Sequence, residues 1–378
     1  MKKLSLCNKN LSDRNSSVEL LRIVSMIMIV FHHFARHGEF QFWDYELSIP
    51  KLWYNFIIMG GKIGVNIFVL ISGYFLINNN KKPFNFQRIK KTWDQVFFYS
   101  VGFEVFFVLL YFIFKDRLDL SNLMSSFFPI MTSQWWFAST YFVLYLIHPF
   151  LNKLLLSLDK KIYKNILMVA AFCWCIIPTI TKLGYECNNL LWFIFIYSLS
   201  GYVRLYGLNP KFKNYHYAVM ALVVSALTYS SSIVISLLGS RITDFKLGTT
   251  YFYNTQSLPV LIISVCIFMA FTATNIKNSK LINMVASATF GVYLIHENHF
   301  LRNIFWQTVF KNSSYQNSIM IIPVSILAVF LVYILCTITE LIRQYFVEKT
   351  FAKITDVLLI PFKKVLLVMA KYTSLLFD

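Results

Sequence analysis

The chain has 378 residues, of which 57% are hydrophobic, 18% aromatic and only 14% charged. A soluble domain with that balance would carry more apolar surface than one core can bury, so the composition excludes an ordinary soluble globular protein. The net charge of +18 does not indicate a nucleic-acid partner, because the cations are scattered through short loops between apolar runs.

Apolar runs of roughly 17–25 residues predict ten membrane-spanning helices, at approximately 18–37, 56–77, 96–114, 135–152, 165–181, 188–203, 216–238, 256–274, 282–301 and 317–340. The first run contains Glu19, Arg22, His32 and His33 and lacks a small-residue cleavage site. It is therefore expected to stay as a span rather than be removed as a signal peptide. Assigning alternate loops to alternate sides puts 24 of the 35 Lys and Arg residues on one side. The positive-inside rule makes that side the cytoplasm, and an even number of spans puts both termini there.

The expected architecture is all-α: a polytopic bundle of about ten transmembrane helices, multi-pass in the cell membrane, with residues 1–350 as the membrane domain. Residues 351–378 place Lys353, Lys363, Lys364 and Lys371 among Leu, Ile, Val and Phe. They are expected to form a basic amphipathic cytoplasmic tail on the inner leaflet. The six cysteines show neither metal-ligand spacing nor a disulfide framework, and packing is their expected role. Membrane lipid is the partner this reading requires; the sequence carries no signal for an oligomeric state.

Ionisable groups at membrane depth cost several kcal/mol and mark functional interiors. Arg22 and His33 lie eleven residues apart in the first span. Eleven residues overshoot three helical turns by about 20°, so both side chains leave one face about 16 Å apart. Away from water the neutral imidazole is favoured, and a neutral His33 can accept a proton from a hydroxyl nucleophile; the alternative is a histidine that merely bonds two helices together. Arg22 has two readings, a ligand for phosphate or carboxylate, or a local ion pair with Glu19 three residues earlier. His32 points about 100° away from His33 and is expected to be structural, whereas His37 sits one turn beyond it.

In the second span, Gly60-xxx-Gly64 suits close helix packing. Lys81-Lys82 and Arg88-Ile89-Lys90-Lys91 follow, a cluster that sets topology or binds the phosphates of a donor. Trp135-Trp136-Phe137 opens the fourth span, where an interfacial aromatic belt is the ordinary explanation. The ninth span carries Tyr293, His296, Glu297 and His299. His296 is expected at the level of His33, with Glu297 either orienting a histidine or reaching water.

These segments together resemble acyltransferase family 3, membrane proteins that O-acylate cell-surface glycans and some smaller acceptors. The family's Arg-x10-His signature matches Arg22 through His33, with Glu19 at its acidic position. Gly64-Val65-Asn66-Ile67-Phe68 through Ser72-Gly73 is similar to its glycine-rich second-helix stretch. Its basic Arg-x-x-Arg element resembles Arg88 to Lys91, with lysine in place of the second arginine. Trp136-Phe137 and the late pattern around Tyr293 and His296 also fit, so the likeness runs from about residue 15 to 345.

The resemblance implies an acyl-CoA donor, acetyl-CoA being expected, on the cytoplasmic side. The acceptor would be a hydroxyl of an exported cell-surface polysaccharide or its lipid-linked precursor. On this reading Arg88, Lys91 and Arg22 engage the donor's phosphates. His33 deprotonates the acceptor or briefly takes the acyl group, with Arg22 and His296 assisting, while Trp136, Tyr293 and Glu297 contact the acceptor. No metal is expected. Some relatives have an additional esterase-like C-terminal domain; without one, this chain is expected to finish transfer alone or with a partner.

Two other classes compete. A transporter or flippase of lipid-linked glycans would use the same buried polar groups to bind cargo. A di-iron desaturase would read His32-His33-x-x-x-His37 and His296-x-x-His299 as histidine boxes, but such sites take about eight imidazoles and the chain has 7 histidines.

Overall fold

The computed structural model describes residues 15–77, 86–114, 123–183, 186–207, 211–242, 246–274 and 276–358. Lys81-Lys82, Cys7 and the tail beyond residue 358 lie outside them. The described residues contain helices and no strand. The principal helices are α1 (Ser16–Arg36), α2 (Ile49–Leu76), α3 (Phe86–Phe114), α4 (Trp136–Ser157) and α5 (Lys160–Thr181). After these come α6 (Asn189–Tyr206), α7 (Asn214–Gly239), α8 (Leu258–Thr272), α9 (Lys280–Ser287 and Thr289–His296) and α10 (Ile321–Leu358). Each of the ten apolar runs overlaps one of these helical stretches, the ninth of them interrupted. Six of them, α1, α2, α3, α5, α7 and α10, are individually long and apolar enough to cross a membrane. The chain is a polytopic helical membrane protein.

Burial separates central from peripheral helices. In the apolar window of α2, 67% of residues are buried, against 11% for α5 and 22% for α7. Leu222 and Leu227 of α7, Val169 of α5 and Leu327 of α10 are exposed, as lipid-facing side chains are. The core gathers Leu21, Val30 and Phe34 of α1, Ile63, Ile67 and Leu70 of α2, Phe193 and Tyr197 of α6, Val292 and Leu294 of α9 and Val329 and Val332 of α10.

Lipid tails are as apolar as leucine, so helices associate through close packing and hydrogen bonds. The α1–α2 seam runs along Gly60, Gly61 and Gly64: a Cβ on Gly61 would overlap the His32 ring, and one on Gly64 would lie 2.6 Å from the Ser25 carbonyl. Gly73 brings α2 equally close to Tyr197 and Ser200 of α6. Polar bonds then fix the register. Asn66, fully buried, donates to the Thr255 carbonyl (2.9 Å) and accepts from Trp192 Nε1 (2.9 Å). Asn152 donates to the Leu76 carbonyl (2.8 Å) and accepts from the Tyr197 hydroxyl (2.7 Å). Of the five described cysteines, all free, Cys175, Cys266 and Cys336 are buried packing residues.

Helix irregularities have local causes. Pro178 lacks the N–H that a regular α5 would need, and the wide turn Phe172–Ile176 directly precedes it. The ninth run, expected as one helix over 282–301, is instead three segments. It breaks at Ala288, and again after His296, where Asn298 caps His299–Asn303 by accepting from Phe300 N (3.0 Å) and Leu301 N (3.4 Å). At the first break the Ser287 carbonyl accepts from Gln344 Nε2 (3.0 Å), a side-chain partner for one of the carbonyls at the end of the segment. Nearby, the fully buried Glu340 accepts from Arg343 (2.8 Å), Tyr99 (2.6 Å), Gln95 (3.0 Å) and Gln344 (2.7 Å), joining α3 to α10.

Residues 351–358, the first of the expected amphipathic tail, belong to the stretch Glu348–Leu358 that continues α10. Lys90 fastens this segment to α3, bonding Asp94 (2.6 Å), Thr355 Oγ1 (2.7 Å) and the Ala352 carbonyl (3.0 Å). Replacing Gly73 with valine is expected to force α2 from α6 at a cost of about 1–3 kcal/mol, seen as a lower thermal midpoint in detergent. Gly102→Val, at a position with nothing within 4 Å of a new Cβ, should leave the midpoint nearly unchanged.

Candidate active site

Four chain segments converge on a cavity of about 160 Å³. The last turns of α1 supply His32, His33, Arg36 and His37, and the middle of α2 supplies Gly61, Lys62, Val65 and Phe68. Trp136 and Phe137 come from the start of α4, and Tyr293 and Glu297 from the end of α9. Phe137 packs edge-on against Tyr293 (5.5 Å between ring centroids) and Phe193 (5.5 Å). His296, fully buried, stands behind the lining with its ring 5.0 Å from that of His33.

The hydrogen bonds assign the protons. His296 Nδ1 lies 2.5 Å from the Val292 carbonyl, which only accepts, so Nδ1 carries the hydrogen and Nε2 of the neutral ring is an acceptor. His33 Nδ1 lies 2.8 Å from that Nε2 and 3.1 Å from Glu297 Oε2. Both neighbours accept, so His33 also carries its hydrogen on Nδ1. Its Nε2 is left with a free lone pair and, among the described residues, no hydrogen-bond partner. His37 Nε2 donates to the same carboxylate (3.0 and 3.2 Å). His32 Nδ1 donates to the Ile58 carbonyl (2.7 Å) while its ring lies against Gly61. Glu297 therefore braces two imidazoles, and His33 presents an oriented basic nitrogen, the relation that a general base and its orienting acid share.

Comparison with family models finds that the acyltransferase domain of acyltransferase family 3 matches residues 15–340. The chain belongs to acyltransferase family 3. Curated proteins and solved structures yielded no match. The protein is accordingly an acyltransferase, and the family's residues can be located in the fold.

In this acyltransferase the two ends of the Arg-x10-His signature are separate. His33 lines the cavity, whereas Arg22 does not and pairs with Glu19 (3.3 Å), the local ion pair. The basic element after α2 is likewise away from the cavity: Arg88 hydrogen-bonds the Tyr145 hydroxyl and Lys91 pairs with Glu348 (2.8 Å). One face of α4 links the two regions, with Phe137, Tyr141, Tyr145 and His148 stacked at centroid distances of 5.9, 6.5 and 4.8 Å. Asn66 of the glycine-rich stretch ties helices together, as described above.

Trp136, which position alone assigned to an interfacial belt and the family resemblance to the acceptor site, lines the cavity with Tyr293 and Glu297, and so does His32. His299 stands apart, 4.0 Å from Glu104. Sequence reasoning gave no role to Arg36 or Lys62, yet both line the cavity, Lys62 with its Nζ 6.0 Å from the Trp136 ring. The available signal was the one applied to Arg22, a cation inside an apolar span; Lys62 was hidden by the packing motif around it.

His33, His37 and Glu297 each offer one ligand atom within 4.8 Å of one another, the donor set for one divalent cation. Hydrogen bonds among the same atoms account for their positions equally well.

Glu297→Gln keeps the side chain's size and removes its charge. Acyl transfer per molecule of purified protein is expected to fall about 10²–10⁴-fold with the thermal midpoint held near wild type.

Proposed function

We propose that this acyltransferase moves an acyl group, acetyl being the expected one, from acyl-CoA at the cytoplasmic side to a hydroxyl of a cell-surface polysaccharide or its lipid-linked precursor, in the cell membrane. The observation that carries the reading is the unpaired Nε2 of His33, braced from its other nitrogen by His296 and Glu297. The acceptor hydroxyl gives its proton to Nε2 as its oxygen attacks the thioester carbonyl. The C–S bond then breaks, and the imidazolium returns the proton to the departing thiolate. Glu297, 3.1 Å from Nδ1, stabilises the imidazolium in between.

The aromatic face of α4 supports a route for the donor's acyl arm. Tyr145, which meets Arg88, is nine residues from Trp136, about 13 Å along the helix. Arg88 would then hold a phosphate at the inner end while the thioester reaches His33. Arg22 and Lys91 would join it only by exchanging Glu19 and Glu348 for that phosphate.

Thiol release from acetyl-CoA by the purified protein in vesicles tests the reading. His33→Ala is expected to lower it at least about 100-fold at unchanged membrane abundance. Translocation of a lipid-linked glycan with no thiol release would instead identify a transporter. Arg88→Gln is expected to raise the KM for acetyl-CoA about 10–100-fold, the worth of one charge-assisted hydrogen bond, with kcat little altered.

A further inference from the structure

Two cations stand on the cavity wall without a counter-ion. Arg36 and Lys62 both line the space that holds His33, and among the described residues neither has an ion pair or a hydrogen bond; Lys62 rests only on the Trp136 ring. Glu297 is the carboxylate lining this cavity, and its oxygens are committed to His33 and His37, with Arg302 a further cation at 3.9 Å. With neutral imidazoles, Arg36, Lys62 and Arg302 outnumber that single negative charge by two. An ammonium at membrane depth is costly unless it meets an opposite charge, and a cleft lined by one sign attracts the other.

Position shows which substrate brings that charge. Arg36 follows His33 by three residues, on the same face of α1 and one turn further from Arg22. Lys62 lies beside His32, because Gly61 packs on that ring. Both cations are therefore at or beyond the level of the base, on the acceptor's side, and away from Arg88 at the donor's end.

Resting on the acyl-transfer reading above, we propose that the acceptor carries an anionic substituent, a carboxylate or a phosphate. This group seats between Arg36 and Lys62 while a neighbouring hydroxyl meets His33 Nε2. The pair sets acceptor specificity, and the anion neutralises what the empty cavity leaves unpaired.

The test is calorimetric binding to purified full-length protein of three probes of matched length: a glucuronate oligosaccharide, its carboxyl-reduced neutral counterpart, and a glycerol-phosphate oligomer. At least one anionic probe is expected to bind about tenfold or more tightly than the neutral one, with the advantage shrinking in added salt. Which anion is preferred distinguishes carboxylate from phosphate. The advantage should vanish in the Arg36→Gln/Lys62→Gln double variant and persist in Arg36→Lys and Lys62→Arg. In turnover, the double variant should lose discrimination through KM rather than kcat.

Equal binding of all three probes, binding of none, or an advantage that survives the double variant overturns the proposal. So does a kcat loss in Lys62→Gln that is the same for neutral and anionic acceptors, which would make Lys62 a stabiliser of the transition-state oxyanion. Absence of thiol release by the wild type would remove the acyl-transfer reading while leaving the binding comparison to stand or fall by itself.

Discussion

The hydrogen-bond chain from the Val292 carbonyl through His296 to His33, and on through Glu297 to His37, is the interaction on which the site depends. Inside lipid there is no water to complete an unpaired imidazole, so each ring nitrogen facing protein must find a protein partner. A single backbone oxygen sets the first proton, and every later donor and acceptor follows from it. On His33 the nitrogen left over is Nε2. Its availability is a consequence of how the others are satisfied.

That chain constrains the fold around it. His33 and His37 lie one turn apart at the end of α1, and both reach Glu297, the residue that directly follows His296 at the end of α9. The stop is made by Asn298 capping the next segment, and the earlier break at Ala288 is held by Gln344. On the other side, α2 must approach closely enough for Lys62 and Val65 to line the same cavity, which Gly61 and Gly64 permit. Helix–helix distance and the geometry of the cavity are thus one requirement.

Much of this was legible in the sequence. The apolar runs fall on helical stretches, six of them long and apolar enough to span, because lipid imposes a length and a composition that few other contexts share. His33, His296 and Glu297 could be read because polar residues in such runs are expensive. What was not legible came from features with no one-dimensional signature. The break between His296 and His299 depends on a cap that an asparagine supplies only in its folded context. His37 was ambiguous until Glu297 reached it. Trp136 fits an interfacial belt by position and only the family resemblance set it at the site; its packing against Phe193 and Lys62 turns it inward. Arg22 was half-legible: its pairing with Glu19 was one of two readings, and the structure shows that pairing.

The Lys90 clamp gives the last helix a second office. Lys90 stands between Arg88 and Lys91 in sequence, and its ammonium is shared by Asp94 on α3 and by Thr355 and Ala352 on α10. Lys91 grips Glu348 on the same stretch. The basic segment is therefore moored to a strut that extends beyond the residues the family shares. Evolution can retune how that segment is held by editing a stretch remote from the reacting atoms, leaving the histidine pocket untouched.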